Sequence, residues 1–296
     1  MKIGVVYNTT DAPHGGGNQF IKALKSYFSS QGLLSSEESA DVILFNSHHN
    51  IDRVAQIKSN FPEKKFVHRV DGPMRLYNNL SDARDFTVYR ANSQIADGTV
   101  FQSHWSKKAN LSLGMDNCLK NVVIHNAVDD KIFYRQKVEK SEKIRIICAS
   151  FSPNPKKGFY VYAHLDRDLD FFRYEMVFAG NSPVKFDNIK NLGCLNSSEL
   201  ALEMNKSHIY LTASENDPCS NSLLEGLACG LPVVARNSGG HPELMSGFGK
   251  LFNKEEDVKD CIDHVSANVE HYTSKIQTTR MDKVGAAYVE FFRSLY

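Results

Sequence analysis

Residues 208–245 read HIYLTASENDPCSNSLLEGLACGLPVVARNSGGHPELM, and this stretch decides the fold class of the chain. Its pattern predicts a strand, a loop, a helix, a second strand, a glycine turn and a second helix. Asp217 and Glu225 lie near the start and in the middle of the first predicted helix, and Gly239 and Gly240 precede the second. This spacing puts a carboxylate near a sugar-sized space and backbone N–H groups near a phosphate-sized one, which points to a sugar nucleotide.

Outward from this stretch, short apolar runs alternate with helical patterns. Strands are predicted at residues 3–7, 41–46, 65–70, 99–103, 122–128, 144–151, 174–180, 208–214 and 232–237. Helices are predicted at 19–31, 104–113, 158–169, 197–205 and 220–230, and over much of 256–296. Such alternation implies parallel sheets covered on both faces. The predicted fold class is therefore α/β, with two Rossmann-like doubly wound domains that face a cleft.

A polar stretch at residues 129–143 interrupts the alternation and reads as a linker between the domains. We expect an N-terminal domain at 1–128, a C-terminal domain at 129–275 and a helix at 276–296 that returns to the N-terminal domain. Ligands of doubly wound folds bind at the carboxyl ends of the strands, so those positions hold the candidate site residues.

The composition excludes several functional classes. The 296 residues carry 35 Lys plus Arg against 34 Asp plus Glu without a block of like charge. Nucleic-acid binding is therefore not predicted, although a small basic patch could contact a membrane peripherally. The six cysteines form no CxxC pair, which argues against zinc and against a disulfide framework. Because neither a signal-peptide pattern nor a membrane-spanning stretch occurs, we expect a soluble, cytoplasmic protein.

The two acids of the opening stretch each allow two interpretations. Asp217, followed by proline, has the chemistry of a helix N-cap, and its carboxylate could equally contact a ligand. Glu225 could be a solvated helix acid. It stands, however, between a leucine and a glycine in an apolar helix, where a carboxylate needs donors such as paired ribose hydroxyls. Asn221 and Ser222 share the adjoining helix face through their spacing from Glu225.

The glycine turn comprises Ser238, Gly239, Gly240 and His241. Glycines let the backbone approach a ligand closely, and the following helix offers its first N–H groups to an anion. An ordinary turn is the alternative interpretation.

Two further stretches suit a diphosphate. Lys156 and Lys157 follow the strand at 144–151, where a lysine can neutralise a phosphate, although a solvated surface pair is the alternative. Gly15, Gly16 and Gly17 form a glycine-rich loop after the first strand that could wrap a diphosphate. The loop lacks the GxGxxG spacing of a dinucleotide site, which counts against NAD.

In the N-terminal half, FVHRVDGP at 66–73 places His68, Arg69 and Asp71 at or just past the end of a strand. His68 could be a satisfied core histidine, and Asp71 could be a turn residue before Gly-Pro. Their position at a strand end makes both candidates for the site.

These pieces together resemble the retaining GT-B glycosyltransferases of glycosyltransferase family 4. The likeness covers most of the chain and is most specific at 208–245, where Asp217-x7-Glu225 takes the place of an E-x7-E helix. VVIHNAVDDKIF at 122–133 resembles the hinge segment of that family, and SPNPKKGF at 152–159 its phosphate region. Lys157 matches the family lysine, while Ser152 stands near the place of the usual arginine.

The resemblance implies transfer of a sugar from a UDP- or GDP-sugar donor to a glycan, lipid or small-molecule acceptor, with retention of anomeric configuration. It assigns the ribose to Glu225, hydroxyls of the donor sugar to Asp217, and the diphosphate to Lys157 and the amides of Gly239, Gly240 and Gly16. His68 or Asp71 would approach the reacting centre from the N-terminal domain, which usually selects the acceptor. The remaining donor-binding candidates are Gly17, Ser238, His241, Asn221 and Ser222.

The resemblance further implies no cofactor and no metal, since lysine and helix dipoles neutralise the diphosphate and no Asp-x-Asp motif occurs. Two alternatives remain open from the sequence. A nucleotide-sugar epimerase can share the two-domain architecture, and a sugar-nucleotide or glycan-binding module could have lost catalysis. A dinucleotide oxidoreductase is disfavoured for want of GxGxxG. The sequence does not predict the acceptor or the oligomeric state.

Overall fold

A computed structural model describes residues 1–10, 16–116 and 119–296. The strands are β1 (Ile3–Val6), β2 (Val42–Asn46), β3 (Lys65–Val70), β4 (Gly98–Phe101), β5 (Lys120–Val123), β6 (Ile144–Ser150), β7 (Tyr174–Gly180), β8 (Lys190–Asn191), β9 (Ile209–Thr212), β10 (Val233–Arg236) and β11 (Gly249–Phe252). The helices are α1 (Gly16–Ser30), α2 (Ile51–Asn60), α3 (Met74–Tyr77), α4 (Arg84–Ile95), α5 (His104–Ser112), α6 (Phe159–Asp168), α7 (Ser197–Asn205), α8 (Asn221–Ala228), α9 (His241–Met245), α10 (Val258–Ser266), α11 (Val269–Lys275) and α12 (Met281–Arg293).

The chain forms two compact units. Among the described residues, the first unit comprises Met1–Thr9, Phe20–Asn126 and Thr279–Tyr296. The second comprises the described part of Thr10–Gln19 together with Ala127–Thr278. Each unit is built on its own parallel sheet. No helix within the described ranges is long and apolar enough to cross a membrane.

The sheet of the first unit runs β1-β2-β3-β4-β5, with all strands parallel. A single parallel bridge joins Leu34 to Ile3, whose backbone N–H and carbonyl both bond to the segment around Leu34. On its other side, Ile3 pairs with Val42 of β2. After β1 the chain therefore first pairs with one edge of β1, at Leu34, and then crosses to the opposite edge to form β2. The order of the chain therefore reverses at β1, as in a doubly wound sheet.

The sheet of the second unit runs β11-β10-β9-β6-β7-β8 and is also parallel. Its order reverses between β6 and β9, where Ile146 pairs with Ile209. The carboxyl ends of these two strands define the place where a ligand of a doubly wound sheet binds. The predicted fold of two doubly wound parallel α/β sheets is confirmed.

Both faces of the second sheet are buried. Neighbouring residues such as Ile146 and Ile147 belong to separate clusters on opposite faces, because successive side chains of a strand alternate. One cluster includes Phe178 and the other Tyr210, and both side chains are fully buried. This two-sided burial explains why the strands read as continuous apolar runs.

The C-terminal helix α12 packs in the first unit, as predicted. Phe292 lies against Phe28 of α1 with ring centroids 6.1 Å apart, and Tyr288 lies 6.2 Å from Phe20. Gly98 of β4 leaves room for this helix, since a Cβ there would lie 3.0 Å from Phe291. These aromatic contacts tie the last turns of the chain to the N-terminal half.

Candidate functional site

At the switch point of the second unit, Lys157 Nζ lies 3.0 Å from Asp217 Oδ2. Lys157 ends a short 3₁₀ turn after β6, and Asp217 stands in the loop after β9. The turn approaches β9 closely because Gly158, at φ +76°, carries no Cβ, which would overlap the Ala213 carbonyl oxygen. A loop from each of the two central strands thus contributes one charge to a single ion pair.

Asp217 is buried. Burial would raise the pKa of its carboxyl, but the charge and hydrogen bond of Lys157 outweigh burial and hold the pKa below its ordinary value. The helix-cap interpretation of Asp217 is wrong, because α8 begins at Asn221 with Ser220 as N-cap. Asp217 Oδ1 instead accepts a 3.3 Å hydrogen bond from the Cys219 backbone N–H, a turn contact before the helix.

A second charge cluster centres on Glu215, in the loop after β9. Its carboxylate accepts from Lys156 Nζ at 2.9 Å and from Tyr160 OH at 3.0 Å. Arg236, at the end of β10, lies 3.5 Å away and also donates to Tyr160 OH. Burial would raise the pKa of the Glu215 carboxyl, but these donors and charges outweigh burial and lower the pKa below its ordinary value. Two cations besides Lys157 therefore gather near the switch point.

The glycine turn packs directly on the Asp217 loop. Gly239 has φ +62°, and a Cβ there would overlap the Asp217 carbonyl oxygen. The Gly240 N–H donates to that same oxygen at 2.8 Å, and Ser238 Oγ accepts from the Asn216 N–H at 3.0 Å. The Gly240 amide and the Ser238 hydroxyl oxygen, both predicted to bind the donor, are thus engaged with the protein itself.

His241 begins α9 and is fully buried. Its Nδ1 lies 3.0 Å from the Arg236 carbonyl oxygen, so the neutral ring carries its proton on Nδ1 and donates there. Burial lowers the pKa of His241. Its Nε2 has no hydrogen-bond partner among the described residues.

Glu225 lies in the middle of α8 and is buried. No described residue donates a hydrogen bond to its carboxylate, and burial alone raises its pKa to about 7. Asn221 and Ser222 precede it on the same helix, and Ser222 Oγ lies 3.4 Å from Ser220 Oγ. The solvated-acid interpretation of Glu225 is wrong, because a solvated acid would be exposed.

The structure describes two of the three glycines of the N-terminal loop. Gly15 lies outside the described residues, and Gly16 and Gly17 begin α1. Gly16 belongs to the second unit, where a Cβ on it would overlap the Asn221 side chain. Gly17 has open space around its Cβ position. Gly16 and Asn221, predicted separately, therefore lie together.

In the first unit, His68 is a core residue. Its ring stacks on Phe45 with centroids 4.2 Å apart, and its exposed fraction is 0%. Nε2 lies 2.9 Å from the Ser47 carbonyl oxygen, and Nδ1 lies 3.3 Å from Asn92 Nδ2. Burial lowers its pKa to about 4. Because both ring nitrogens are occupied, the geometry favours a packing role over the predicted catalytic one.

Asp71 lies at the carboxyl edge of the first sheet. Arg69, 1% exposed, donates to its Oδ1 at 3.2 Å, and Gln102 donates to the same oxygen. His48 and His49 come directly after β2 at the same edge, and sequence reasoning missed them. The signal was available, since SHHN follows a buried strand end.

Three comparisons with known proteins agree with this architecture. Residues 148–271 match the family model described as Glycosyl transferases group 1. An uncharacterized glycosyltransferase of Methanocaldococcus jannaschii is 26% identical over 245 residues, which cover 76% of this chain and 66% of that protein. The chain thus spans just under two thirds of the length of this curated relative.

Solved structures share the fold over nearly the whole chain. The Anabaena protein HepE, in complex with UDP and glucose, superposes with a TM-score of 0.76 at 14% identity, covering 99% of this chain and 100% of that one. WaaG, a glycosyltransferase involved in lipopolysaccharide biosynthesis, superposes with a TM-score of 0.72 at 11% identity, covering 99% of each chain. Together the matches support a glycosyltransferase of the GT-B fold.

Proposed function

We propose that this protein is a retaining glycosyltransferase that moves a sugar from a nucleotide-sugar donor to an acceptor hydroxyl. The observation that carries the proposal is Glu225, a buried carboxylate to which no described residue donates a hydrogen bond. A buried carboxylate without donors is costly, and the two hydroxyls of a ribose supply two donors. Glu225 stands in the same unit as the Lys157–Asp217 pair at the switch point.

The donor is proposed to be a UDP- or GDP-sugar. The Anabaena protein HepE forms a complex with UDP and glucose, which supports a uridine nucleotide as the first donor to test. On this proposal Lys157 exchanges Asp217 for the diphosphate when the donor binds. Asp217 is then released to contact hydroxyls of the donor sugar. In the empty site the ion pair holds both side chains in the positions from which they would contact the donor.

The remaining candidates are proposed to contribute to the same donor site. The Gly239 amide, Ser222 and Asn221 are proposed to contact the donor, and Gly16 to leave room beside Asn221. Lys156 or Arg236 is proposed to supply the cation that the family arginine provides elsewhere, since both lie at the Glu215 cluster.

Transfer is proposed to proceed by front-face attack. The bond from the anomeric carbon to the diphosphate oxygen breaks while the acceptor oxygen bonds to the same face of that carbon. The acceptor proton passes to the departing phosphate. Lys157 stabilises the charge that grows on the leaving diphosphate, which is electrostatic catalysis by a preplaced cation.

Independence from metal ions and cofactors is part of the proposal. Within residues 1–10, 16–116 and 119–296, no group of three His, Cys, Asp or Glu side chains is arranged to hold a metal ion. Neither the epimerase nor the non-catalytic binding module is favoured by the comparisons.

The experiment that tests the donor site is calorimetric titration of UDP and GDP into wild type and Glu225→Ala. We expect Glu225→Ala to weaken binding of one nucleotide by about tenfold or more, because two charge-assisted hydrogen bonds are lost. Glu139→Ala, at an exposed residue of the same unit, serves as control. Equal affinities of wild type and Glu225→Ala would remove Glu225 from the site.

A further inference from the structure

A tyrosine hydroxyl of the second unit is buried beneath helix α8 without a partner. Tyr210 belongs to β9, and its side chain is fully buried in the cluster that includes the leucines of α8. The ring packs against the helix backbone, since a Cβ on Gly226 would lie 2.8 Å from Tyr210 Cγ. The Tyr210 hydroxyl has no hydrogen-bond partner of good geometry among the described residues. A buried tyrosine hydroxyl is normally paired, so this donor lacks an acceptor.

The complementary group is the carboxylate of Glu225, which is buried on α8 and to which no described residue donates a hydrogen bond. Burial raises the pKa of the Tyr210 hydroxyl well above its ordinary value, and the charge of Glu225 adds to that rise. The two groups are therefore close enough to interact electrostatically. A buried donor and a buried acceptor, each without a partner, lie between the same strand and the same helix.

Ser222 connects the two groups. It lies three residues before Glu225 on α8, and side chains at that spacing share a helix face. Its hydroxyl acts against burial on the pKa of Tyr210, as a neighbouring hydrogen-bonding group does. Ser222 Oγ also lies 3.4 Å from Ser220 Oγ, which is a long contact. A serine hydroxyl can accept one hydrogen bond while it donates another, so Ser222 suits a position between Tyr210 and Glu225.

The other polar groups of this region are turned elsewhere. Among the described residues, burial is the only cause that moves the pKa of Glu225, so no charged side chain acts on it. Cys229, one turn later, responds to the charge of Glu225 after burial, but its thiol points to the Ala201 carbonyl oxygen at 4.0 Å. Tyr162 lies in the cluster on the opposite face of the sheet, and its hydroxyl accepts from the Ala213 N–H.

We propose that Tyr210 is a positioning residue, which donates through Ser222 to the carboxylate of Glu225 and fixes that carboxylate for the ribose hydroxyls. The Tyr210 hydroxyl donates to Ser222 Oγ, and the Ser222 hydroxyl donates to one carboxylate oxygen of Glu225. Hydrogen-bonded hydroxyls polarise one another, which strengthens the last bond of the chain. The other carboxylate oxygen stays open to the ribose. This inference rests on the proposed nucleotide-sugar site for its role but not for the titration that tests it.

Carbon-13 NMR titration of Glu225, in protein labelled at the glutamate carboxyl carbons, tests the chain of hydroxyls without any nucleotide. Hydrogen bonds to a carboxylate favour its charged form, so Tyr210→Phe and Ser222→Ala should each raise the pKa of Glu225 by about 1 pH unit above its wild-type value. Tyr288→Phe, at a buried tyrosine of the first unit, should leave that pKa unchanged. The inference is overturned if either Tyr210→Phe or Ser222→Ala leaves the Glu225 pKa at its wild-type value.

Nucleotide affinity near neutral pH separates this inference from the proposed function. We expect Tyr210→Phe to weaken binding of UDP or GDP by about fivefold in the wild-type background and to have no effect in a Glu225→Gln background. An affinity that Tyr210→Phe leaves unchanged, or weakens equally in both backgrounds, overturns the inference, because a purely structural role would not depend on the charge of Glu225. If Tyr210→Phe raises the Glu225 pKa but wild type binds no nucleotide or nucleotide sugar, the proposed function alone is overturned.

Discussion

Lys157 Nζ and Asp217 Oδ2 lie 3.0 Å apart, on loops that leave the two strands between which the second sheet reverses its order. Both side chains are largely shielded, at 18% and 12% exposed. The pair neutralises a cation that the proposed reaction needs for the diphosphate. Replacing Asp217 by an uncharged residue should therefore have different effects on nucleotide affinity and on the rate of sugar transfer.

Asp217→Asn should leave UDP or GDP binding intact or tighter, because Lys157 no longer exchanges a partner for the diphosphate. Sugar transfer should fall, since the donor sugar loses a charged contact. Calorimetry and a transfer assay measure the two effects. A variant that transfers at the wild-type rate would show that Asp217 does not contact the donor sugar, and Asp260→Asn, an exposed acid of the same unit, is the control.

The same pair makes stability depend on pH. Because the folded-state pKa of Asp217 is depressed, its contribution is present above the unfolded-state pKa and is lost as pH falls through the folded-state pKa. Asp217→Asn should therefore cost about 2 kcal/mol near neutral pH and progressively less in acid. Urea denaturation across pH measures this, and a cost that does not shrink in acid would contradict it.

Glu225→Gln should stabilise the empty protein at alkaline pH while it weakens nucleotide binding. The folded-state pKa is raised from 4.5 to about 7, so stability falls as pH rises through that interval. At pH values above it, the gain from the uncharged variant is about 3 kcal/mol at most. Urea denaturation across pH measures the gain, and Glu139→Gln should show none.

Nucleotide binding should also release a proton near neutral pH. Ribose hydroxyls that donate to Glu225 favour its charged form, so affinity should rise as pH increases through about 7. Calorimetry in buffers of different ionisation enthalpy measures the proton count. Binding without proton release, together with pH-independent affinity, would argue against contact between Glu225 and the ribose.

Gly239→Ala should lower the free energy of unfolding of the second unit by more than the cost of placing an alanine in a left-handed backbone conformation. Its φ of +62° and the overlap of a new Cβ with the Asp217 carbonyl oxygen act together. Gly193→Ala is the matched control, since Gly193 has φ +70° with nothing within 4 Å of its Cβ position. We expect about 1 kcal/mol for the control and more for Gly239→Ala, measured by urea denaturation. Equal costs would show that the turn can relax.

His68→Gln should lower stability at neutral pH and remove part of its decline in acid. The pKa of His68 is lowered from 6.5 to about 4, so the folded state binds fewer protons and stability is lost as pH falls through that interval. NMR titration of the imidazole measures the pKa directly. An ordinary pKa of His68 would contradict its placement in the core.

Much of the fold was predictable because the apolar runs of the parallel sheets are continuous. The elements that were missed have weak patterns. β8 has two residues, and α2 buries only Val54 and Ile57. β11 begins at Gly249, which like Gly247 has a positive φ, and two glycines so close together resemble a turn in the sequence.

The site was predictable in part. The stretch 208–245 located Asp217, Glu225 and the glycine turn, because the residue types and spacing are local. The Glu215 cluster and the partner of Asp217 depend on loops from different strands, which no single stretch of sequence contains. His68 shows the opposite error, since a histidine at a strand end looks reactive until its burial is known.

The most direct test of the central claim is mass spectrometry of reactions that contain the wild-type protein, isotope-labelled UDP- or GDP-hexoses and a panel of neutral glycosides. The account predicts a labelled hexose joined to an acceptor with retained anomeric configuration, in the presence of a chelator. Transfer with inverted configuration, release of an epimer, or nucleotide sugars that bind and are not consumed would contradict it.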